Sequence, residues 1–346
     1  MRALTVKPGE SGSVTVSDVG EPPSDEGEVL VDALAVGICG TDFEIVSGEY
    51  GQAPPDSERL ILGHESLGRV VEAPPDSTIS PGDLVVGMVR APDPVPCPAC
   101  AVGEVDMCRN GRYTEHGIDG RQGFARERWR AQPDQLIRLD PGLGDLGVLL
   151  EPASVLAKAW EQVERIGTRS SWTPAVVAVT GAGPIGLLAA LMGVQRGLDV
   201  HIFDRNTSGP KPELARSLGA TYHTDRLPDS GLNPDVVMEC TGAVPVIVDA
   251  LRHAANNAIT CLTGISSTGK ETSLDVGEVN RDIVLRNRVV FGTVSANRRH
   301  YEDAVTALAA ADPDWLGRLI TRRVPLERFQ EAFTKQPGDI KVVIEI

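Results

Sequence analysis

The sequence predicts an α/β protein in which a mostly β part precedes a doubly wound parallel sheet. Three observations carry that expectation. The chain has 346 residues, about twice the usual single-domain length, which leaves room for two cores. Up to about residue 155 it reads as short alternating segments, such as 28–36 and 84–89, broken by Pro-Pro, Pro-Gly and Gly-rich turns. From 158 to 294, apolar runs at 176–179, 201–203, 236–238, 258–262 and 289–291 alternate with helical stretches, the pattern of parallel strands joined by crossover helices. The last stretch, with a helix near 301–311 and a final run at 341–346, departs from that alternation and is read as returning to the first part. The expected domains are therefore 1–157 completed by 295–346, and 158–294.

Composition excludes several function classes. Hydrophobic residues at 41% and charged residues at 23% are ordinary globular usage, unlike a disordered, collagen-like or coiled-coil chain. With 36 Gly and 25 Pro against 4% aromatics, the core is aliphatic and loops carry much of the chemistry. Lys and Arg total 33 against 48 Asp and Glu, and the resulting charge of −15 repels nucleic acid and acidic membrane surfaces. The uncharged run 174–194 is long enough to suggest a membrane span, but Gly-Ala-Gly-Pro at its centre suits a strand, a tight turn and a buried helix. Met1–Gly12 has no apolar signal segment, so a cytoplasmic protein is expected. Of six Cys, three fall within 97–108, which suits metal binding in a reducing compartment better than a disulfide framework.

The most specific motif is Gly181-Ala182-Gly183-Pro184-Ile185-Gly186, set between the strand run 176–179 and a helical stretch at 187–193. In that context Gly181 permits the tight turn, Gly183 lets backbone approach a pyrophosphate, and Gly186 lets the helix pack on the sheet. Phosphates then sit at the helix N-terminus. Asp204 follows at the end of the second strand, where a carboxylate bonds a ribose 2′-hydroxyl and favours NAD. The adjacent Arg205 could instead bind a 2′-phosphate, which keeps NADP as the alternative. Thr241, in the segment 239–242 that closes the run 236–238, and Thr263, Gly264 and Ile265, after the next strand, stand at strand ends where open sheets bind ligands.

In the first part, Gly37-Ile38-Cys39-Gly40-Thr41-Asp42, then Gly63-His64-Glu65-Ser66-Leu67-Gly68-Arg69-Val70, then Glu151-Pro152 bring together the thiolate, imidazole and carboxylate donors that zinc prefers. Singly, each has a bland reading as buried filler. In this order and followed by the Gly-rich loop, they resemble the zinc-dependent medium-chain dehydrogenase/reductase family, over essentially the whole chain. Glu115-His116-Gly117, Gly123-Phe124 and Trp129 resemble its microbial glucose dehydrogenase branch.

That resemblance implies a GroES-like β domain and a Rossmann domain. It implies Zn²⁺ and NAD, or alternatively NADP, as cofactors, with oxidation of a sugar or polyol hydroxyl. It further implies Cys39, His64, Glu65 and Glu151 as residues of the catalytic metal site, Asp42 orienting His64, and Thr41 as the hydroxyl that relays the substrate proton. The histidine that many relatives place five residues after the Cys is Glu44 here. Cys97, Cys100 and Cys108 match three of the four thiols of a structural zinc lobe. Either Asp93 or a neighbour completes that lobe, or it is empty.

For the substrate, the resemblance implies contacts from Thr41, Glu115 and the positions of Arg90 and Ser295. An inward Arg90 would suit a sugar phosphate, sugar acid or cyclitol derivative, and an outward one would be a surface arginine. The rival readings are another alcohol or polyol dehydrogenase of the family and a dinucleotide-binding relative without turnover. A homodimer or homotetramer is expected from the family.

Overall fold

A computed structural model describes residues 1–266 and 272–346. The fold class is α/β, and the chain separates into two compact units, Met1–Ser154 with Ser295–Ile346, and Val155–Val294.

The first unit is built around a seven-stranded sheet among the described residues. Its order is Leu136–Arg138, Leu84–Gly87, Glu65–Glu72, Val29–Ile38, Lys341–Glu345 and Ile320–Pro325, with Arg128–Ala131 also paired to Val29–Ile38. Val29–Ile38 is buried on both faces: Val29, Val31, Val36 and Ile38 join one cluster with Val70, Val85, Phe124, Trp129, Val342 and Ile344, while Leu30 and Ala35 are buried as well. Lys341–Glu345 pairs antiparallel with it, Val343 opposite Gly37, so the end of the chain is a strand of the first unit. On the other side Glu65 is opposite Gly37. A Cβ on Gly37 would stand 2.0 Å from Glu65 Oε2, so glycine here is what lets the carboxylate lie across the strand.

The second unit holds a six-stranded parallel sheet, ordered Thr221–His223, Asp199–Phe203, Val176–Thr180, Val236–Glu239, Ile259–Leu262 and Val289–Gly292. The order reverses between Val176–Thr180 and Val236–Glu239, which opens a crevice at the strands' C-terminal ends. Five of these strands match the apolar runs. Thr221–His223 had no such signal: it is a three-residue edge strand whose residues are half-buried or exposed, so it needs no apolar stretch. The run 174–194 folds as the strand Val176–Thr180 and the helix Pro184–Gln195. That helix starts three residues before the expected one because Gly183 is an extended N-cap and Pro184 takes the first helical position. No helix among the described residues is long and apolar enough to cross a membrane.

Candidate active site

The donor groups of the first unit converge through two neighbouring strands. Val29–Ile38 runs straight into Cys39, which is extended and caps the helix Gly40–Ser47. Asp42, in the first turn, accepts the Cys39 backbone N–H through Oδ2 at 2.9 Å, which pins the turn between strand and helix. His64 immediately precedes the strand Glu65–Glu72. Cys39 Sγ lies 2.9 Å from His64 Nε2, and His64 Nδ1 lies 3.4 Å from Asp42 Oδ1. Cys39, His64 and Glu65 each offer one donor atom within 4.8 Å of the others.

His64 is buried, which disfavours its charged form. The Cys39 and Asp42 charges nevertheless outweigh that and raise its pKa well above the ordinary value. A soft thiolate, an imidazole and a carboxylate at this spacing are a donor set that fits zinc, which Cys39 and His64 would hold. Glu151, in the first turn of the helix Leu150–Gly167, lies outside the close trio. Burial first, then the charge of Glu65, push its carboxyl up to about 7.

Lys341 belongs to the same cluster and no motif pointed to it. Its Nζ donates to both oxygens of Glu65 at 2.6 Å and to the Ile38 carbonyl at 3.2 Å, with the lysine fully buried. The only sequence signal is a lysine at the head of an otherwise apolar strand. Thr41 stands two residues beyond Cys39, half-buried, and its hydroxyl makes no hydrogen bond among the described residues.

Arg90 and Glu115 also lie in the first unit. The reading of Arg90 as a surface residue is corrected: it is 5% exposed, directly opposite Glu115 across two paired strands, and bonded to it. Ser295 is buried in a left-handed conformation, φ 57°, with no hydrogen-bond partner for its hydroxyl among the described residues. Cys97, Cys100 and Cys108 form a second trio with sulfurs within 4.8 Å. The Arg109 and Cys100 N–H groups donate to Cys97 Sγ and bring its pKa down to about 6. Asp93 is not in that trio, and its carboxylate is taken by the Val95 N–H, Asn110 Nδ2 and Arg112 Nε. As fourth ligand it would have to abandon these bonds.

In the second unit the three glycines of the loop differ physically. Gly181 has φ +91°, and its N–H donates to the Phe203 carbonyl at 2.7 Å. A Cβ on Gly186 would stand 1.8 Å from the Gly181 carbonyl oxygen, whereas one on Gly183 meets nothing within 4 Å. Pro184 and Ile185 open the helix that follows.

Asp204, Arg205, Asn206 and Lys211 line a cavity of about 400 Å³ with Thr180, Gly181 and Thr241. The Asp204 carboxylate accepts the Ala182 and Asn206 N–H groups, each at 2.9 Å, and Lys211 Nζ is 3.5 Å away. Arg205 is exposed. Sequence reasoning missed Lys211, whose place in the cavity depends on the fold of the turn before its helix. Thr241 donates through its hydroxyl to the buried Glu239, and Thr263 and Gly264 donate their N–H groups to the Glu239 carbonyl. Ile265 is exposed beside them.

The family models for the alcohol dehydrogenase GroES-like domain and for the glucose dehydrogenase C-terminus match residues 25–141 and 144–346. Glucose 1-dehydrogenase of Methanocella arvoryzae is 39% identical over 100% of this chain and 99% of its own length. Glucose 1-dehydrogenase 1 of Caldivirga maquilingensis is 40% identical with the same coverage. Among solved structures, Haloferax mediterranei glucose dehydrogenase in complex with NADP, Zn and gluconolactone matches with a TM-score of 0.92 at 31% identity, covering 100% of this chain and 99% of that one.

Proposed function

We propose, because this chain belongs to the glucose dehydrogenase family of zinc-dependent medium-chain dehydrogenases/reductases, that it oxidises the hydroxyl at the anomeric carbon of a sugar with NADP and zinc. The observation that carries the reading is the convergence of Cys39, His64 and Glu65 donors within 4.8 Å. In this reading residues 1–157 and 295–346 hold the metal and the sugar, and 158–294 hold the dinucleotide.

Cys39 and His64 hold the zinc, with Glu65 and Glu151 as the neighbouring carboxylates. Zinc supplies Lewis acidity toward the substrate hydroxyl, and the nicotinamide supplies the hydride acceptor. The rest is done by the chain. Asp42 faces His64 Nδ1 and holds the ring so that Nε2 points at Cys39. The Thr41 hydroxyl, unpartnered, takes the substrate proton and passes it toward solvent, since Glu44 stands where relatives carry a relay histidine. Glu115 binds sugar hydroxyls.

For the dinucleotide, the loop Gly181–Gly186 takes the pyrophosphate, and Thr241, Thr263, Gly264 and Ile265 flank the nicotinamide half. Asp204 by itself favours NAD. Its carboxylate, however, already accepts two backbone N–H groups beside Lys211, and the exposed Arg205 is next to it, which favours NADP over NAD. A cytoplasmic homodimer or homotetramer completes the reading, carried by the family resemblance.

The test is reduction of NADP by glucose before and after zinc is stripped with a chelator. Activity is expected to fall by on the order of 10³-fold and to return when zinc is restored. Full turnover by protein shown to be zinc-free would overturn the metal reading. The loop yields a second, contrasting prediction. Gly186→Ala must displace backbone, so both the stability of the second unit and NADP affinity should fall. Gly183→Ala has room in the free protein, so it should fold normally and lose roughly tenfold in NADP affinity, because the added methyl meets the pyrophosphate. Thermal melts with and without NADP separate the two; equal melting temperatures for the two apo variants would contradict the packing argument.

A further inference from the structure

Arg90 and Glu115 face each other on the paired strands Arg90–Ala91 and Thr114–His116, in direct register. Cross-strand neighbours on one face are close enough for their side chains to bond. Arg90 Nε and Nη2 both donate to the same oxygen, Glu115 Oε1, at 3.1 and 2.8 Å. Nη1 donates to the Asp106 carbonyl at 3.1 Å, and the Tyr113 ring lies under the guanidinium, 3.6 Å from its carbon to the ring centroid. With a side chain 4% exposed, the guanidinium is enclosed by these partners. Glu115 Oε2 accepts no hydrogen bond from the described residues. Asp119 brings a second carboxylate close enough that burial, then the Glu115 charge, raise its pKa.

We propose that Arg90 is a positioning residue: it commits Oε1 of Glu115 and leaves Oε2 as the acceptor for one sugar hydroxyl, so that the enzyme takes neutral aldoses and rejects phosphorylated or carboxylated ones. The proposal rests on the sugar dehydrogenase reading and narrows its substrate class. A free, inward guanidinium would bind a substrate anion bidentately. This one has its charge balanced by Glu115, one face stacked on Tyr113 and its outer nitrogens tied to Oε1 and a carbonyl. An incoming phosphate would have to break a buried ion pair and leave the Glu115 carboxylate unpaired, beside Asp119. An uncharged hydroxyl needs only the free lone pairs of Oε2. Fixing the carboxylate rotamer in advance also lowers the ordering cost of binding that hydroxyl.

The experiment compares D-glucose, D-glucose 6-phosphate and D-glucuronate, which share a reacting carbon and differ in charge, using the zinc-loaded enzyme with NADP. Arg90→Lys and Arg90→Met are assayed beside the parent. The parent should favour glucose over both charged sugars by at least about tenfold in kcat/KM. Arg90→Met should raise the KM for glucose by about tenfold, with a smaller change in kcat and none in the KM for NADP, and Arg90→Lys should recover part of the loss.

A parent that prefers a charged sugar, with that preference lost in Arg90→Met, makes Arg90 an anion clamp and overturns the proposal. An unchanged glucose KM in a folded Arg90→Met protein overturns it as well. Should Arg90→Met fail to fold, the parent's sugar preference and the KM of Arg90→Lys decide. If no sugar of any charge reduces NADP, it is the sugar dehydrogenase reading that fails.

Discussion

Cys39→Ser should reduce sugar oxidation by on the order of 10³-fold or more while leaving the affinity for NADP unchanged. Cys39 contributes the only thiolate of the trio, 2.9 Å from His64 Nε2. A serine hydroxyl at that position is neutral at pH 7 and a harder donor, so the site loses both a charge and its soft ligand. The Gly181 loop belongs to the second unit, which the substitution does not touch. Bound zinc per chain should therefore fall with turnover, while NADP titration followed by nucleotide fluorescence is unaltered. Parental turnover in the Ser variant would sink the metal mechanism. Parallel loss of NADP affinity would show instead that the variant is misfolded beyond its site.

Lys341→Met should be the most destabilising single change in the first unit outside the apolar core. Glu65 and Lys341 are both about 1% exposed or less, and Glu65 receives both of its 2.6 Å bonds from Lys341. As a pair, such groups offset one another. With the lysine removed, an ionised carboxylate is left in a dry site, at a cost of about 3–5 kcal/mol. For a unit of roughly 200 residues, the size of the first one, that corresponds to a fall of roughly 6–20 °C in its melting temperature. The double variant Lys341→Met, Glu65→Gln removes the stranded charge, so it should be more stable than the single Lys341→Met. Melts of metal-free protein check both statements. A Lys341→Met protein within about 1 kcal/mol of the parent would mean that Glu65 finds its compensation elsewhere.

Cys39 and Lys341 differ in how far the local sequence specifies their place. Cys39, His64 and Glu65 sit in short segments with recognisable spacing. Each is placed by a local event: a strand ending in a capped helix for Cys39, and the start of the next strand for His64 and Glu65. The glycine loop is legible for the same reason, because the left-handed φ of Gly181 and the contact between Gly186 and the Gly181 carbonyl involve residues a few positions apart. Lys341 is 276 positions from Glu65, and the two meet only because Lys341–Glu345 inserts beside Val29–Ile38. Whether Arg90 faces inward or outward is not legible locally, since a strand position alone does not say what stands opposite. Asp93 stands near the thiol lobe in the chain, but its oxygens turn to Val95, Asn110 and Arg112.

The order of residues by itself determined the α/β class, the parallel strands with their phosphate-binding turn, and which side chains could serve a zinc ion. The first two follow from periodicity and from spacings within a turn or a strand, and the third from the family resemblance. Tertiary structure alone decided the partners of the buried charges: Glu65 with Lys341 and Arg90 with Glu115. A charge removed from water must find its counterpart within about 3 Å, and which residue lies that close is set by sheet register and chain crossing, which local pattern does not encode.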